Sequence, residues 1–181
     1  GGLPGLAPLW QGGDVDDLKF LSETLAAIQD QGHGALLEKT WVAMHNYNLG
    51  EPAAGNLDLP AAARGSAAPA ASADGYARYA QVDQAVSAAL GRSLPVLVTE
   101  GGTRAGDPPY GDGAAESQVA EDTAAAFERV KTAPDSYFCY CPWLFGNQLG
   151  GGDDAAWEPM AWFRGDGSRQ PVVDAVRQLD D

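Results

Sequence analysis

The order of elements in this sequence predicts an α/β fold built on parallel strands. Three observations carry that expectation. Short apolar or aromatic runs alternate with amphipathic helical stretches in the order β-α-β-α-β-α-β-α. No two of the runs are joined by a hairpin turn. The clearest run, Leu94–Gly102 (LPVLVTEGG), has the β-branched, apolar character of a buried parallel strand and closes on a carboxylate. Consecutive parallel strands take right-handed crossovers. This leaves two architectures open, a doubly wound open sheet and a (β/α) barrel.

Each element follows from local chemistry. Gly5–Gly13 (GLAPLWQGG) reads as a first strand that carries Trp10 and Gln11 to its C-terminal end, against the opposition of Pro4 and Pro8. Asp14–Gln31 is a helix: Asp14, Asp16 and Asp17 suit its positive N-terminal end, Leu18, Leu21, Leu25 and Ile28 form its stripe, and Gly32 and Gly34 stop it. Thr40–Tyr47 (TWVAMHNY) is the second strand, with Ala43, His45 and Tyr47 on one face and Val42, Met44 and Asn46 on the other. Leu49–Ala73 is a long Ala/Pro/Gly-rich connection. Asp74–Leu90 is a helix with Tyr76, Tyr79, Val82, Val86 and Leu90 facing inward, ended by Gly91.

In the third strand strict alternation sets Val96, Val98 and Glu100 on one side and Leu97 and Thr99 on the other, with Gly101 and Gly102 as its stop. A Gly/Pro loop carrying Arg104, Asp107 and Tyr110 leads to a helix over Ala114–Lys131. Asp135–Leu144 (DSYFCYCPWL) is the last strand, with Tyr137, Cys139, Cys141 and Trp143 expected on one face. A loop bearing Asn147 and Gln148, an aromatic patch at Trp157–Phe163 and a closing helix over Gln170–Leu179 complete the chain.

The 181 residues suit one domain, 1–181, with a sizeable core. A net charge of −14, from 25 acids and 11 bases, argues against a nucleic-acid partner and against an anionic membrane surface. No apolar run approaches the roughly 20 residues of a bilayer span. The opening Gly1-Gly2, without a Met, leads us to expect a processed start or a cut in a longer protein. Cys139 and Cys141, two apart on a strand, would make a strained disulfide and are expected to be small buried apolar residues. No phosphate-binding glycine loop, calcium loop or histidine metal pattern occurs, so no cofactor and no metal are expected. Nothing in the sequence fixes the cellular compartment.

A carboxylate at the C-terminal tip of a parallel strand is where barrel enzymes place catalytic groups, which singles out Glu100. Three strand ends line up around it in sequence: His45-Asn46-Tyr47, Thr99-Glu100-Gly101 and Pro142-Trp143. In that order they resemble strands six, seven and eight of the clan A retaining glycoside hydrolases, most like family 5. The resemblance spans about residues 5–180. It implies the C-terminal half, strands five to eight, of a (β/α)8 TIM barrel, and retaining hydrolysis of a β-linked glycoside. It further implies that Glu100 is the nucleophile and that Tyr47 hydrogen-bonds it and keeps it charged. His45 would contact sugar or the second acid, and Trp143 would be the sugar platform. Asn147 and Gln148 would suit sugar hydroxyls.

The chain departs from the family pattern in one respect that matters for chemistry. The acid/base Glu, which usually follows an Asn at the end of strand four, has no counterpart, because no Asn-Glu pair occurs. The sequence therefore leads us to expect little or no turnover by the chain alone. It also leads us to expect a partner, either an N-terminal half-barrel or a second copy meeting its exposed strand edges. The alternative expectation is a carbohydrate-binding or structural barrel without catalysis.

Overall fold

The computed structural model describes residues 2–10, 14–47, 75–103, 105, 116–147 and 157–179. Four strands, β1 (Gly5–Leu9), β2 (Trp41–Tyr47), β3 (Val96–Gly102) and β4 (Tyr137–Tyr140), alternate with α1 (Asp17–Asp30), α2 (Arg78–Leu90), α3 (Glu116–Val130) and α4 (Val172–Arg177). The strands form one sheet in the order β1-β2-β3-β4, and every neighbouring pair is parallel. The α/β class, the parallel pairing and the element order expected from sequence are therefore present, and the order runs sequentially without a reversal. None of the helices of the described residues is long and apolar enough to cross a membrane.

The helix ends follow the local chemistry. Asp16 lies just outside α1 as its N-cap, and its carboxylate accepts from the Lys19 amide at 2.8 Å. At the other end Gly32 takes φ 77°, while His33 N donates to Ile28 O and Gly32 N to Gln29 O. Those two bonds close a Schellman motif. Asp17 does more than complement the helix dipole: it is buried and paired with Arg78, which ties the start of α1 to the start of α2. The turn of 3-10 helix at Gly34–Lys39, absent from the sequence expectation, places Leu37 in the core and offers its carbonyl to Arg92.

One face of the sheet carries the main core. Val42, Met44, Val96, Val98, Tyr137 and Tyr140 meet Leu21 and Leu25 of α1, Tyr79, Val82 and Val86 of α2, and Ala126 of α3. Val86, Val96, Val98 and Leu25 are fully buried. At roughly 2 kcal/mol for each fully buried aliphatic side chain, this cluster supplies most of the apolar stabilisation of the sheet. Trp162, Val172, Val173 and Ala120 form a second cluster beneath α4.

Two irregularities correct the strict alternation read from sequence. Met44 pairs with Val98, but the next pair is His45 with Glu100, so Thr99 is an extra residue in β3. A bulge of one residue carries all that follows to the opposite face. Glu100 thus shares the face of His45 and not that of Val96 and Val98. Likewise Val96 pairs with Tyr137 and Leu97 with Cys139, which makes Phe138 the extra residue in β4. Tyr137 therefore lies on the helix face, stacked on Tyr79 at 4.2 Å, and does not share a face with Cys139. Cys141 is exposed and Cys139 half-buried, both as free thiols, so neither is the fully buried apolar residue expected. Cys139 lies on β4, the outer strand among the described residues, and Cys141 just past its end.

Gly101 and Gly102 do not stop β3; the strand runs through both. What they supply is closeness. A Cβ on Gly101 would run into the Asn46 carbonyl, 2.8 Å from its carbon, and one on Gly102, which sits at φ 101°, would lie 2.8 Å from the Tyr140 hydroxyl. Gly101→Ala must push β2 and β3 apart. We expect it to cost about 1–3 kcal/mol, the usual penalty of overpacking. Urea unfolding checks this through the midpoint, and an unchanged midpoint would mean that the seam yields freely.

Candidate functional site

The tips of β2 and β3 bring three of the sequence-predicted residues together. Glu100, with its side chain about a quarter exposed, accepts a short hydrogen bond from the Tyr47 hydroxyl. His45 Nδ1 lies 3.6 Å from the same carboxylate oxygen, Oε1. The His45 and Tyr47 rings are perpendicular, at 6.5 Å and 89°. Tyr47 is buried, so its hydroxyl is fixed by packing before it meets the acid. A buried, pre-oriented donor stabilises a carboxylate at small further entropic cost. The group is then a half-open carboxylate with one oxygen held and the other accessible in part.

Trp143 lies three residues past the end of β4. Beyond the last residue of β4 the ladder continues, with Cys141 N donating to Val98 O at 3.0 Å and Trp143 N to Gly101 O at 2.7 Å. These bonds fix the Trp143 backbone beside the residue that follows Glu100. The indole packs edge-on to Trp157 at 5.8 Å and 80°, and its Nε1 is buried without a hydrogen-bond partner among the described residues. The Trp143–Leu144 peptide is cis.

The remaining predicted residues have other positions. Asn147 Nδ2 donates to Glu158 Oε2 at 2.7 Å, and Glu158 Oε1 accepts from Gly165 N at 2.7 Å. Glu158 thereby braces the loop after the last strand, a role its sequence position allowed, and Asn147 commits amide capacity to that brace. Gln148 lies outside the described residues, as do Arg104, Asp107 and Tyr110. Among the described residues no three His, Cys, Asp or Glu side chains cluster in a way that could hold a metal ion. Burial, helped by the neighbouring Cys141, pushes the Cys139 thiol up to about 11, which leaves it a poor thiolate donor.

Two parts of the site were not singled out in the sequence. Trp10 stands one residue beyond β1 and meets the Tyr47 ring edge-to-face at 6.2 Å and 72°. A Trp immediately past a strand end is the signal that could have found it. The second part is a buried polar chain beneath the strand tips. Asn46 Nδ2 donates to Tyr76 O at 3.2 Å, the Tyr76 hydroxyl lies 3.1 Å from Thr103 Oγ1, and Thr103 donates to Asp122 Oδ2 at 3.0 Å. Gln118 Nε2 completes it by donating to Asp122 Oδ1. Asn46 sits between His45 and Tyr47, and Thr103 sits three residues past Glu100, so the chain ties the two strand tips together. Burial pushes the Tyr76 phenol up to about 12, a shift that hydrogen bonding to Thr103 moderates.

No protein-family model matches this chain, and neither a curated protein nor a solved structure matches it.

Proposed function

We propose that this chain is the nucleophile-bearing half of a (β/α)8 barrel that performs retaining hydrolysis of a β-linked glycoside. The observation that carries the reading is the Glu100 carboxylate at a parallel strand tip, held by the Tyr47 hydroxyl and flanked by His45 Nδ1 at 3.6 Å. Trp143, tethered to Gly101 on the adjoining strand, adds an aromatic surface suited to the C–H face of a sugar. The sequential strand order supports the barrel half, since doubly wound sheets reverse direction at a switch point. Among the described residues, strands β1 and β4 lie outermost, which is compatible with further strands on either side.

In the reaction one Glu100 oxygen attacks the anomeric carbon as the glycosidic C–O bond breaks. The departing oxygen takes its proton from a second carboxylic acid about 5 Å away. Water then cleaves the glycosyl ester, and the same second group removes the water proton. Two inversions at the anomeric carbon give net retention. The second carboxyl comes, in this reading, from an N-terminal half-barrel or from another copy of the chain. A general acid of that kind is worth roughly 10²–10⁴ in rate, so the chain alone is slow.

A substrate whose leaving group needs no proton isolates the role of Glu100. Dinitrophenyl 2-deoxy-2-fluoroglycosides are expected to give a covalent adduct that peptide mass spectrometry maps to Glu100 and that Glu100→Gln abolishes. An adduct on a different residue would end the proposal. Saccharide binding without any adduct would favour the other reading, a carbohydrate-binding barrel without catalysis, for which the absence of an Asn-Glu pair speaks.

A further inference from the structure

Cys139 and Cys141 stand two residues apart at the β4 side of the sheet, and both are free thiols. The ladder holds their backbone extended. Cys139 is paired with Leu97, and past the end of β4 the Cys141 amide still donates to Val98 O at 3.0 Å. Tyr140, between them, turns to the helix side, buried against Tyr76 and Phe127. Alternation then sets both thiols on the sheet face away from the helices. Cys141 is exposed and Cys139 half-buried, so the pair can be reached from solvent. The thiols also feel each other: Cys141 acts on Cys139 through charge and a side-chain hydrogen bond.

Backbone pairing keeps the two residues at strand spacing. Two rises of about 3.3 Å put same-side Cβ atoms roughly 6.6 Å apart. A disulfide needs its Cβ atoms within about 3.5–4.5 Å, so closing one means pulling the strand out of its ladder. A single ion between the sulfurs asks for less. With metal–sulfur bonds of about 2.3 Å, a linear S–ion–S unit spans about 4.6 Å. Each thiol leaning about 1 Å toward the other makes up the difference. Among the described residues no third His, Cys, Asp or Glu joins the pair in a group that could hold a metal. Zinc, which takes four ligands, and oxygen-seeking cations are poorly served by such a pair. A thiol whose proton is held up to about 11 yields it only to an ion with strong affinity for sulfur, which again favours a soft cation.

We propose that Cys139 and Cys141 form a two-coordinate site for a soft monovalent cation, with Cu(I) as its occupant. Both thiol protons pass to solvent as the two sulfur–copper bonds form, and no electron is transferred. The ion removes the mutual repulsion of the two thiolates and leaves β4 in its ladder. Neither Glu100 nor Trp143 takes part, so the site is independent of the glycosidase reading.

Anaerobic titration of the full reduced chain with Cu(I), in competition with the coloured chelator bicinchoninate, is expected to load one ion per chain. Cys139→Ser and Cys141→Ser should each weaken binding by about a hundredfold or more, since the second sulfur binds as an intramolecular partner. X-ray absorption at the copper edge is expected to show two sulfur neighbours and no others. Zn(II) under the same conditions should leave the chain unloaded, and oxidised glutathione should leave no Cys139–Cys141 disulfide in the peptide map. Circular dichroism of each variant confirms the fold. Failure to load, loading that survives either Ser variant, a copper with three or more ligands, or an ion shared between two chains on size exclusion overturns the inference. Zn(II) bound at the same thiols, or ready formation of the disulfide, overturns it as well, since either means that the strand gives way where the ladder should hold it.

Discussion

Tyr47→Phe slows covalent capture of Glu100 by a fluoroglycoside by about ten- to a hundredfold, with the chain still folded. The phenol donates directly to the attacking carboxylate, and hydrogen bonds to charged groups are worth about 1.5–3 kcal/mol. The bond is also present before attack, so what slows capture is the lost alignment of the acid, and the stated factor corresponds to about 1.4–2.7 kcal/mol. In the proposed reaction the hydroxyl would also orient the carboxylate, because it donates to Oε1. Phenylalanine keeps the ring that meets Trp10 and His45, so packing is conserved. Adduct mass followed against time gives the rate, and far-ultraviolet circular dichroism confirms the fold. An unchanged rate would show that the phenol has no part in aligning the acid.

Alkali is expected to unfold the chain over a defined window, between pH 10 and about 12. Tyr76 has its phenol pushed up to about 12, and burial moves Tyr137 and Tyr140 in the same direction. In the unfolded chain these groups ionise near the ordinary tyrosine value of about 10. Within the window the folded state therefore holds more protons than the unfolded one, and stability falls as pH rises. The contribution is complete below pH 10 and is lost on passing through the folded value. For Tyr76 alone two pH units amount to about 3 kcal/mol. Urea midpoints across the window, with near-ultraviolet absorbance reporting phenolate, measure the fall. Tyr76→Phe should flatten the decline, and a midpoint independent of pH there would contradict the buried phenols.

Much of the fold could be read from sequence because its signals are local. The stripe Leu18, Leu21, Leu25, Ile28 and the glycine stop after it require only helical periodicity and one left-handed residue. The same holds for Val82 and Val86 in α2. Orientation within β3 could not be read, because a bulge leaves no mark in a run such as Val-Leu-Val-Thr-Glu. The pairing with β2 sets it, and one inserted residue reverses the side of the sheet that the acid faces. Glu100 nevertheless meets His45 and Tyr47, because the same bulge sets it opposite His45 in the pairing with β2. The chain from Asn46 through Tyr76 and Thr103 to Asp122 was hidden for a related reason: its members are separated by up to 30 residues and none is unusual alone. Trp10 was obscured by Pro4 and Pro8, which made its strand look weak.

The outermost positions of β1 and β4 carry a consequence for how the chain behaves in company. A parallel sheet whose two outer strands, among the described residues, have no further strand beside them would set no limit on how many copies could pair, because each added neighbour exposes a new flank like the last. Against that growth stands mutual repulsion, a −14 charge on every copy. Repulsion of this sort reaches about 10 Å in dilute electrolyte and about 3 Å at molar salt, whereas backbone pairing is short-ranged and largely indifferent to ions. If edge pairing of this kind takes place, we expect it to strengthen with ionic strength, and a closing half that filled both flanks would remove that dependence.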